Sequence, residues 1–345
     1  LPPGQALAVD GAAGRITLPE CLPEGAQTEP APLQAGQAIP MADGTPVALR
    51  ASVAGASGAA WARARGAEAI GLVRSEYLHP RGSRAPDCAY YRHALGAIAE
   101  AAAPLPVTVR LLDLAPDKAP PWLGNPAGFA GALGRHGSRL YTVEAVYGAM
   151  RAEAAAIGAL AQWQAMGVIV PYLTEVAEFR RWRQELADVL PADVAVGAML
   201  ETPAAVQEAA AFLGEADFAA IGCNDLMQTF FAADRDTPEV AALLNPYAPA
   251  LFRFLAGAAA AGDATVDRLT LCGLLPQMPG LLPVLLGLGF RRFSVEPALL
   301  PHLARQVAAT EPGAAGRLAA AVTAAREPAQ VQEALGLPPG APWGQ

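Results

Sequence analysis

Acidic and amide side chains stand at the ends of two apolar runs in this sequence. The run AVGAML (195–200) leads directly into Glu201, and FAAIGC (218–223) leads into Asn224 and Asp225. An unpaired charge is costly to bury, so each carboxylate needs either solvent or a positive partner. The similar placement of the two acids predicts that they belong to one site.

Arginine and thiol side chains occupy comparable positions along the chain. Four of them stand at the end of such a run or in the loop after it: Arg74, Arg110, Arg235 and Cys272. Two carboxylates with few other hard ligands suit Mg²⁺ or Mn²⁺, which take oxygen ligands. A guanidinium group binds phosphate or carboxylate through two parallel hydrogen bonds. We therefore predict a divalent-metal site at Glu201 and Asp225 that is shared with an anionic substrate.

The composition limits the kind of partner. The 345 residues carry a net charge of −8, which argues against nucleic acid. The most apolar run, PGLLPVLLGLGF (279–290), is shorter than a membrane span and is interrupted by Pro283 and glycines, so no membrane insertion is expected. The four cysteines are scattered, without the spacing of a zinc site or a disulfide framework, which fits a reducing cytoplasm.

Strand-like and helix-like segments alternate after residue 45. Helical periodicity fills the intervals between eight short runs rich in Val, Ile and Leu: 46–53, 69–78, 107–114, 168–173, 194–202, 217–226, 268–275 and 291–297. Eight such repeats predict an α/β protein with a (β/α)₈ TIM barrel. An open doubly wound sheet is the alternative, but no G-x-G-x-x-G follows the first strand. In a barrel, the active site lies at the carboxyl ends of the strands, where the candidate residues stand.

Six stretches, beginning with AEAIGLVRSEYL (67–78) and VRLLDLAPDK (109–118), follow one another in the order of known motifs. They resemble motifs of the phosphoenolpyruvate-utilising enzymes, and most of all the enzyme I type of the bacterial phosphotransferase system. AEAIGLVRSEYL is similar to G-A-x-G-I-G-L-x-R-T-E-F-L, and VRLLDLAPDK to V-R-T-L-D-I-G-G-D-K. The other four are VGAMLETPAA, AAIGCNDLMQTFFAADRD, LTLCGLL and LGLGFRRFSVEP. The resemblance covers roughly residues 45–310 and implies a barrel of the phosphoenolpyruvate/pyruvate-binding type.

The resemblance also implies roles for single residues. It assigns phosphoenolpyruvate or pyruvate binding to Arg74, Arg110, Lys118, Asn224 and Arg235. It assigns the Mg²⁺ ligands to Glu201 and Asp225, and to Cys272 the protonation of the enolate. Nearby arginines and a metal would favour the thiolate, so we expect Cys272 to be partly exposed with some thiolate character.

The organisation beyond the barrel is likewise implied by the resemblance. We expect residues 1–45 to be the linker or tail of a phosphohistidine swivelling domain, residues 46–312 to be the barrel, and residues 313–345 to be a helical extension. The G-G-x-x-S-H motif of the swivelling domain does not occur in the chain. The implied function is transfer of the phosphoryl group of phosphoenolpyruvate to a histidine of that domain, and then to a phosphocarrier protein of the HPr type. The chain alone is expected to bind ligand without full turnover, and to form a homodimer.

Three departures from the motifs keep alternatives open. Ala115–Pro116 replaces a double glycine, His136 replaces an arginine for which Arg135 could substitute, and Leu274 replaces a glutamate. One alternative is a citrate-lyase-like enzyme that uses the same metal pair to cleave a C–C bond. The other is a barrel that senses phosphoenolpyruvate or pyruvate and has lost catalysis.

Overall fold

The computed structural model consists of two compact units, residues 1–32 and residues 33–345. It describes residues 5, 7–10, 15–18, 33–78, 80, 82–116, 119–131, 133–260 and 266–338. In the first unit, strands Ala8–Asp10 and Arg15–Thr17 pair as an antiparallel hairpin.

Eight parallel strands form the centre of the second unit. They are β1 (Pro46–Val53), β2 (Ile70–Arg74), β3 (Val107–Arg110), β4 (Met166–Leu173), β5 (Ala195–Leu200), β6 (Ala219–Gly222), β7 (Leu269–Cys272) and β8 (Arg292–Val295). Each pairs with the next along the chain, and β8 pairs with β1, so the sheet closes on itself. This closure confirms the predicted (β/α)₈ barrel and excludes the open sheet. A short strand, Ile39–Pro40, pairs antiparallel with the start of β1.

The register of the sheet brings the carboxyl ends of the strands to one rim. Arg74, the last residue of β2, pairs with Arg110, the last residue of β3. At the other side of the barrel, Cys272 at the end of β7 pairs with Gly222 at the end of β6. Residues that are far apart in the sequence therefore meet at this rim.

The strands are apolar on both faces because both faces are buried. β4 is buried along its whole length, and β6 and β7 are as well. A small interior cluster takes one residue from each of five strands: Leu72, Ile169, Met199, Ala220 and Cys272. A much larger cluster joins the strands to the surrounding helices. Cys272 thus belongs to an apolar layer inside the barrel.

Helices surround the sheet in the described part of the chain. They are α1 (Ala56–Ala64), α2 (Cys88–Ala102), α3 (Glu144–Leu160), α4 (Val176–Ala187), α5 (Pro203–Gln207), α6 (Ala209–Glu215), α7 (Cys223–Phe231), α8 (Pro238–Ala241), α9 (Pro249–Ala259), α10 (Leu281–Gly287), α11 (Leu300–Ala309), α12 (Pro312–Ala324) and α13 (Pro328–Ala334). Short 3₁₀ segments follow β2 (Ser75–Tyr77) and precede α3 (Gly137–Thr142). None of the helices in the described residues is long and apolar enough to cross a membrane.

The sixth strand is shorter than the sequence pattern predicts. The predicted strand 217–226 ends at Gly222, and α7 begins at the next residue without a loop. Asparagine and aspartate favour the start of a helix, and an acidic side chain is stabilised in the first turn. Asn224 and Asp225 consequently lie in the first turn of a helix rather than on the strand itself.

The C-terminal helices pack against the barrel. α12 contacts α10 and α9, and α13 contacts α12, so all of them belong to the compact unit that begins at Leu33. The domain boundaries predicted at residues 45 and 312 stay predictions.

Candidate active site

A cavity of about 300 Å³ lies at the carboxyl ends of the strands. Its lining includes seven of the eight site residues predicted from the sequence: Arg74, Arg110, Glu201, Asn224, Asp225, Arg235 and Cys272. The eighth, Lys118, lies with Asp117 outside the described residues. Side chains from segments between β2 and β7, which are far apart in the sequence, therefore meet in one cavity. They do so because the parallel strands of a barrel end at the same rim.

Arg110 is the central cation of this cavity. Its guanidinium group is buried and forms ion pairs with three carboxylates: Glu76 (Nη2–Oε1, 2.7 Å), Asp113 (Nη1–Oδ2, 2.9 Å) and Glu201 (Nη1–Oε1, 3.3 Å). Burial opposes its charge, but these carboxylates raise the pKa of Arg110 well above its usual range. Its Nε atom is a buried donor with no acceptor among the described residues.

Glu76 joins two of the predicted arginines, and no role was predicted for it. Its Oε1 accepts hydrogen bonds from Arg110 Nη2 and, at 3.1 Å, from Arg74 Nε. Burial would raise the pKa of Glu76, but the two guanidinium groups lower it overall. Arg74 also donates to the Tyr77 hydroxyl at 3.0 Å. Glu76 is therefore a buried anion that sets the relative position of Arg74 and Arg110.

Glu201 is buried at the end of β5, with 1% of its surface exposed. Its Oε1 accepts from Arg110, and its Oε2 accepts from the backbone N–H of Tyr172 at 3.0 Å. The carboxylate lies against Gly222, where a Cβ atom would be 2.6 Å from Glu201 Oε1. A side chain at residue 222 would therefore displace the carboxylate.

The first turn of α7 provides the other polar groups. Asp225 Oδ1 accepts from Gln228 Nε2 at 3.1 Å and lies 3.3 Å from Arg235 Nη1. Asn224 Oδ1 accepts from the backbone N–H of Leu274 at 3.0 Å, which ties α7 to the loop after β7. Gly273 has a φ of 101° and no room for a Cβ, which would lie 2.6 Å from Asn224 Oδ1. Glycine is required there because it adopts this backbone conformation without strain.

Cys272 lies in the cavity wall but is buried. The prediction that this thiol would be partly exposed is therefore wrong. Only 2% of its surface is exposed, because it belongs to the apolar layer formed with Leu72, Ile169, Met199 and Ala220. Burial and the nearby Glu201 raise the pKa of the Cys272 thiol to about 12, against the smaller effects of Arg110 and Arg50. The thiol is protonated at neutral pH, which is the form that an acid needs.

The residues that depart from the family motifs also line the cavity. His136, Leu274, Ala115 and Pro116 are all in its wall. His136 Nε2 is 2.8 Å from the Gly131 carbonyl oxygen, and 58% of the Leu274 surface is exposed. Arg135 does not take the place of the absent arginine, because its guanidinium contacts the Ala127 carbonyl and the Thr142 hydroxyl instead.

The carboxylates that crowd around Glu201 create negative charge that a divalent cation would offset. Burial raises the pKa of Glu201 well above its usual range; Arg110 opposes this, and the Asp225 and Asp113 carboxylates raise it further. Protonation of crowded carboxylates relieves their repulsion, and a bound cation would relieve it as well. Within the described residues, no group of three or more His, Cys, Asp or Glu side chains is arranged to hold a metal by itself. A donor set of Glu201 and Asp225 suits a cation such as Mg²⁺, which keeps several waters and substrate oxygens as ligands.

Comparison with known proteins defines the class of the chain. The family described as "PEP-utilising enzyme, PEP-binding domain" matches residues 31–311, and the chain belongs to this family. Its curated relatives include the phosphoenolpyruvate-protein phosphotransferase of Bacillus sp. (strain S), which is 32% identical over 280 residues, 78% of this chain and 48% of the relative. The Lactococcus lactis subsp. lactis protein of the same name is 29% identical over 85% of this chain and 54% of its own length.

A third relative is the multiphosphoryl transfer protein of Escherichia coli, which is 28% identical over 83% of this chain and 36% of its own length. The chain thus spans about half the length, or less, of these relatives. Their names favour the phosphotransferase interpretation over the lyase interpretation. A solved structure of the CitE protein of Mycobacterium tuberculosis, in complex with magnesium, acetoacetate and coenzyme A, covers 70% of this chain and 84% of its own at 16% identity. Its TM-score of 0.30 is too low to support an argument.

Proposed function

We propose that this chain is the phosphoenolpyruvate-binding catalytic part of a phosphoenolpyruvate-protein phosphotransferase. The observation that carries the proposal is the convergence of Arg74, Arg110, Glu201, Asn224, Asp225, Arg235 and Cys272 on one cavity of a phosphoenolpyruvate-utilising domain. These groups supply what the reaction needs: cations for phosphate and carboxylate, oxygen ligands for a metal, and an acid.

The arginines are the groups that bind the substrate. Phosphoenolpyruvate carries a phosphate and a carboxylate, and a guanidinium group binds either through two hydrogen bonds. Arg74 and Arg235 have about a third of their side-chain surface exposed, so they can reach a ligand. Arg110 also lines the cavity, and its Nε is a buried donor without an acceptor in the described structure. Lys118 is proposed as a further contact from its place in the sequence alone.

Glu201 and Asp225 are the proposed ligands of Mg²⁺ or Mn²⁺. When bound, the metal would offset negative charge on the substrate and on the two carboxylates. It would thereby hold the substrate next to these carboxylates. Gly222 leaves the room in which the Glu201 carboxylate lies, and Tyr172 fixes its second oxygen through the backbone N–H. The chain thus holds the carboxylates in place before a ligand arrives.

The chemistry divides between this chain and a histidine on a swivelling domain outside it. The histidine nitrogen forms a bond to phosphorus while the bond from phosphorus to the enol oxygen breaks, and its electron pair leaves as the enolate of pyruvate. Arg74, Arg110 and Arg235 stabilise the charge that spreads over the phosphoryl oxygens. Cys272 then gives its Sγ proton to C3 of the enolate, which yields pyruvate, and the thiolate recovers a proton from water. The phosphohistidine passes the group on to a phosphocarrier protein of the HPr type.

Exposed apolar side chains mark the surface on which such a domain would dock. Four of them lie in segments that follow β2, β3, β6 and β7: Tyr77, Leu133, Leu243 and Leu274. Of these, Leu274 also lines the cavity. Contiguous exposed apolar surface is typical of interaction sites, and we propose that these segments provide it. The family resemblance also suggests a homodimer.

A binding experiment tests the metal site. Glu201→Gln and Asp225→Asn each remove one charged ligand with little change in shape. We expect each to weaken Mg²⁺-dependent binding of oxalate, measured by calorimetry, by more than about 100-fold, since even groups that only support metal ligands contribute 10–100-fold.

The control for this experiment is Asp193→Asn, which removes an exposed carboxylate just before β5, at the opposite end of the barrel. It should leave oxalate binding unchanged. Wild-type affinity in both cavity variants would rule out a shared metal site at these two residues.

A further inference from the structure

A glutamate buried outside the cavity contacts the segment that carries Arg110. Glu153 lies in α3, is fully buried, and does not line the cavity. Its neighbours on the buried face of the helix include Met150, Ala154 and Ile157, so its surroundings there are largely apolar. Burying a carboxyl group in such surroundings is costly unless the group has a specific polar partner.

The partner is the backbone just beyond β3. The last hydrogen bond of the sheet in this region runs from the Leu111 N–H to the Ile169 carbonyl, at 3.0 Å. Leu112 is the next residue and is also buried, so its backbone groups need partners other than water. Its N–H donates to Glu153 Oε2 at 2.8 Å, and its carbonyl accepts from the Tyr141 hydroxyl at 3.0 Å. Two side chains thus supply the hydrogen bonds that a neighbouring strand would supply inside the sheet, at the point where the chain leaves it.

The residues next to Leu112 face the cavity. Arg110 and Asp113 both line it, and they form an ion pair at 2.9 Å. The Arg110 carbonyl accepts a hydrogen bond from the Ser75 hydroxyl at 2.9 Å. The short segment between the two cavity residues is therefore held by side chains from the segment after β2, from the 3₁₀ segment before α3, and from α3 itself.

The surroundings of Glu153 favour its protonated, uncharged form. Burial raises the pKa of Glu153 to about 8; the Ser75 hydroxyl and the Leu112 N–H lower it, Glu76 raises it, and Arg110 lowers it. The Tyr91 and Tyr141 hydroxyls also lie close enough to interact with it. A neutral carboxyl group can accept the Leu112 N–H without adding negative charge behind an anion-binding site.

We propose that Glu153 is a positioning residue of the anion site, which holds Leu112 and thereby keeps Arg110 and Asp113 where they face the cavity. The inference rests on the proposed function, since it names the arginine that binds the anionic substrate. The hold of Glu153 on the backbone of residues 110–113 can also be tested without any ligand.

The test compares variants of the full chain that keep or remove this hydrogen bond. Glu153→Gln keeps an oxygen for the Leu112 N–H, whereas Glu153→Met fills the space without one. Gln164→Met is the matched control, because the Gln164 amide is buried and donates to the Leu105 carbonyl ahead of β3, away from the cavity. Two quantities are measured: oxalate affinity with Mg²⁺ by calorimetry, and amide hydrogen exchange of the peptide 107–116 by mass spectrometry.

Glu153→Met should weaken oxalate binding and speed exchange in the peptide, each by about tenfold or more, since a lost buried hydrogen bond is worth that much. Glu153→Gln and Gln164→Met should stay within about threefold of the wild type in both measurements. If Glu153→Met does not fold, Tyr141→Phe, which removes the other side-chain bond to Leu112, takes its place under the same criteria.

Two outcomes overturn the proposal: unchanged affinity and exchange in Glu153→Met, or equal effects in Glu153→Met and Gln164→Met. A wild type that does not bind oxalate would instead contradict the proposed function. The exchange rates would then decide the positioning role by themselves: selective acceleration in Glu153→Met supports it, and its absence overturns it.

Discussion

Replacing Glu153 by glutamine should change how the stability of the protein depends on pH. The carboxyl group has an ordinary pKa of 4.5 and a pKa of about 8 in the folded protein, chiefly because it is buried. Between these values the folded protein keeps a proton that the unfolded chain loses. Glu153 therefore makes its most favourable contribution below pH 4.5, and this contribution is lost as the pH rises towards 8.

The size of the effect follows from the two pKa values. One pH unit inside this window changes the free energy of unfolding by about 1.4 kcal/mol. Summed from about pH 5 to about pH 7, the contribution of Glu153 falls by roughly 2.5 kcal/mol. Glutamine does not titrate, so the variant lacks this loss. The free energy of unfolding of Glu153→Gln should rise by that amount relative to the wild type over the same interval.

Urea unfolding at the two pH values, followed by tryptophan fluorescence, measures this difference. The chain has five tryptophans. Other titrating groups contribute equally to the wild type and the variant, so the comparison isolates residue 153. Glu100→Gln, at an exposed position of α2, controls for the loss of one carboxyl group. A stability difference between Glu153→Gln and wild type that is constant to within about 0.5 kcal/mol, close to the error of such measurements, would refute the reasoning.

Two further predictions concern the cavity. Cys272→Ala should slow the exchange of pyruvate methyl protons with D₂O, followed by NMR in the presence of Mg²⁺, by roughly 10²–10⁴-fold, while ligand affinity stays within about threefold. Cys223→Ala, which changes the neighbouring buried thiol of the cavity wall, should have no such effect. Exchange that survives in Cys272→Ala removes this thiol from the mechanism. A wild type that binds pyruvate and metal without exchange favours the alternative of a sensing barrel that has lost catalysis. Gly222→Ala should weaken Mg²⁺-dependent oxalate binding by about tenfold or more, because the new Cβ would meet the Glu201 carboxylate at 2.6 Å. Gly214→Ala, in α6 with open space around it, should leave binding unchanged, and equal affinities in the two glycine variants would contradict the crowding argument.

The sequence by itself determined the barrel and brought seven of the eight predicted site residues to one cavity at its rim. Eight apolar runs separated by helical segments leave few arrangements other than a closed parallel sheet, and β8 does pair with β1. In such a sheet the polar residue that ends an apolar run must lie at the common rim. This is why Arg74, Arg110, Glu201 and Cys272 could be placed together before any contact was known.

Only the tertiary structure decided the surroundings of these residues. The sequence places Cys272 at a strand end, but its burial depends on apolar side chains from four other strands that pack around it. The raised pKa of its thiol follows from that packing and could not be inferred from nearby charges alone. Glu76 was visible beside Arg74, but its link to Arg110 depends on the pairing of β2 with β3.

Glu153 shows most clearly the difference between what the sequence determines and what only the tertiary structure determines. In the sequence it is one acidic residue in an Ala-rich helix, where a solvated position is the usual expectation. Its contact with Leu112 spans 41 residues and depends on where the sheet stops pairing and how α3 packs beneath that point. Periodicity determines which residues face the sheet. The backbone groups that are left without a strand partner, and the side chains that satisfy them, are determined only once the elements are packed.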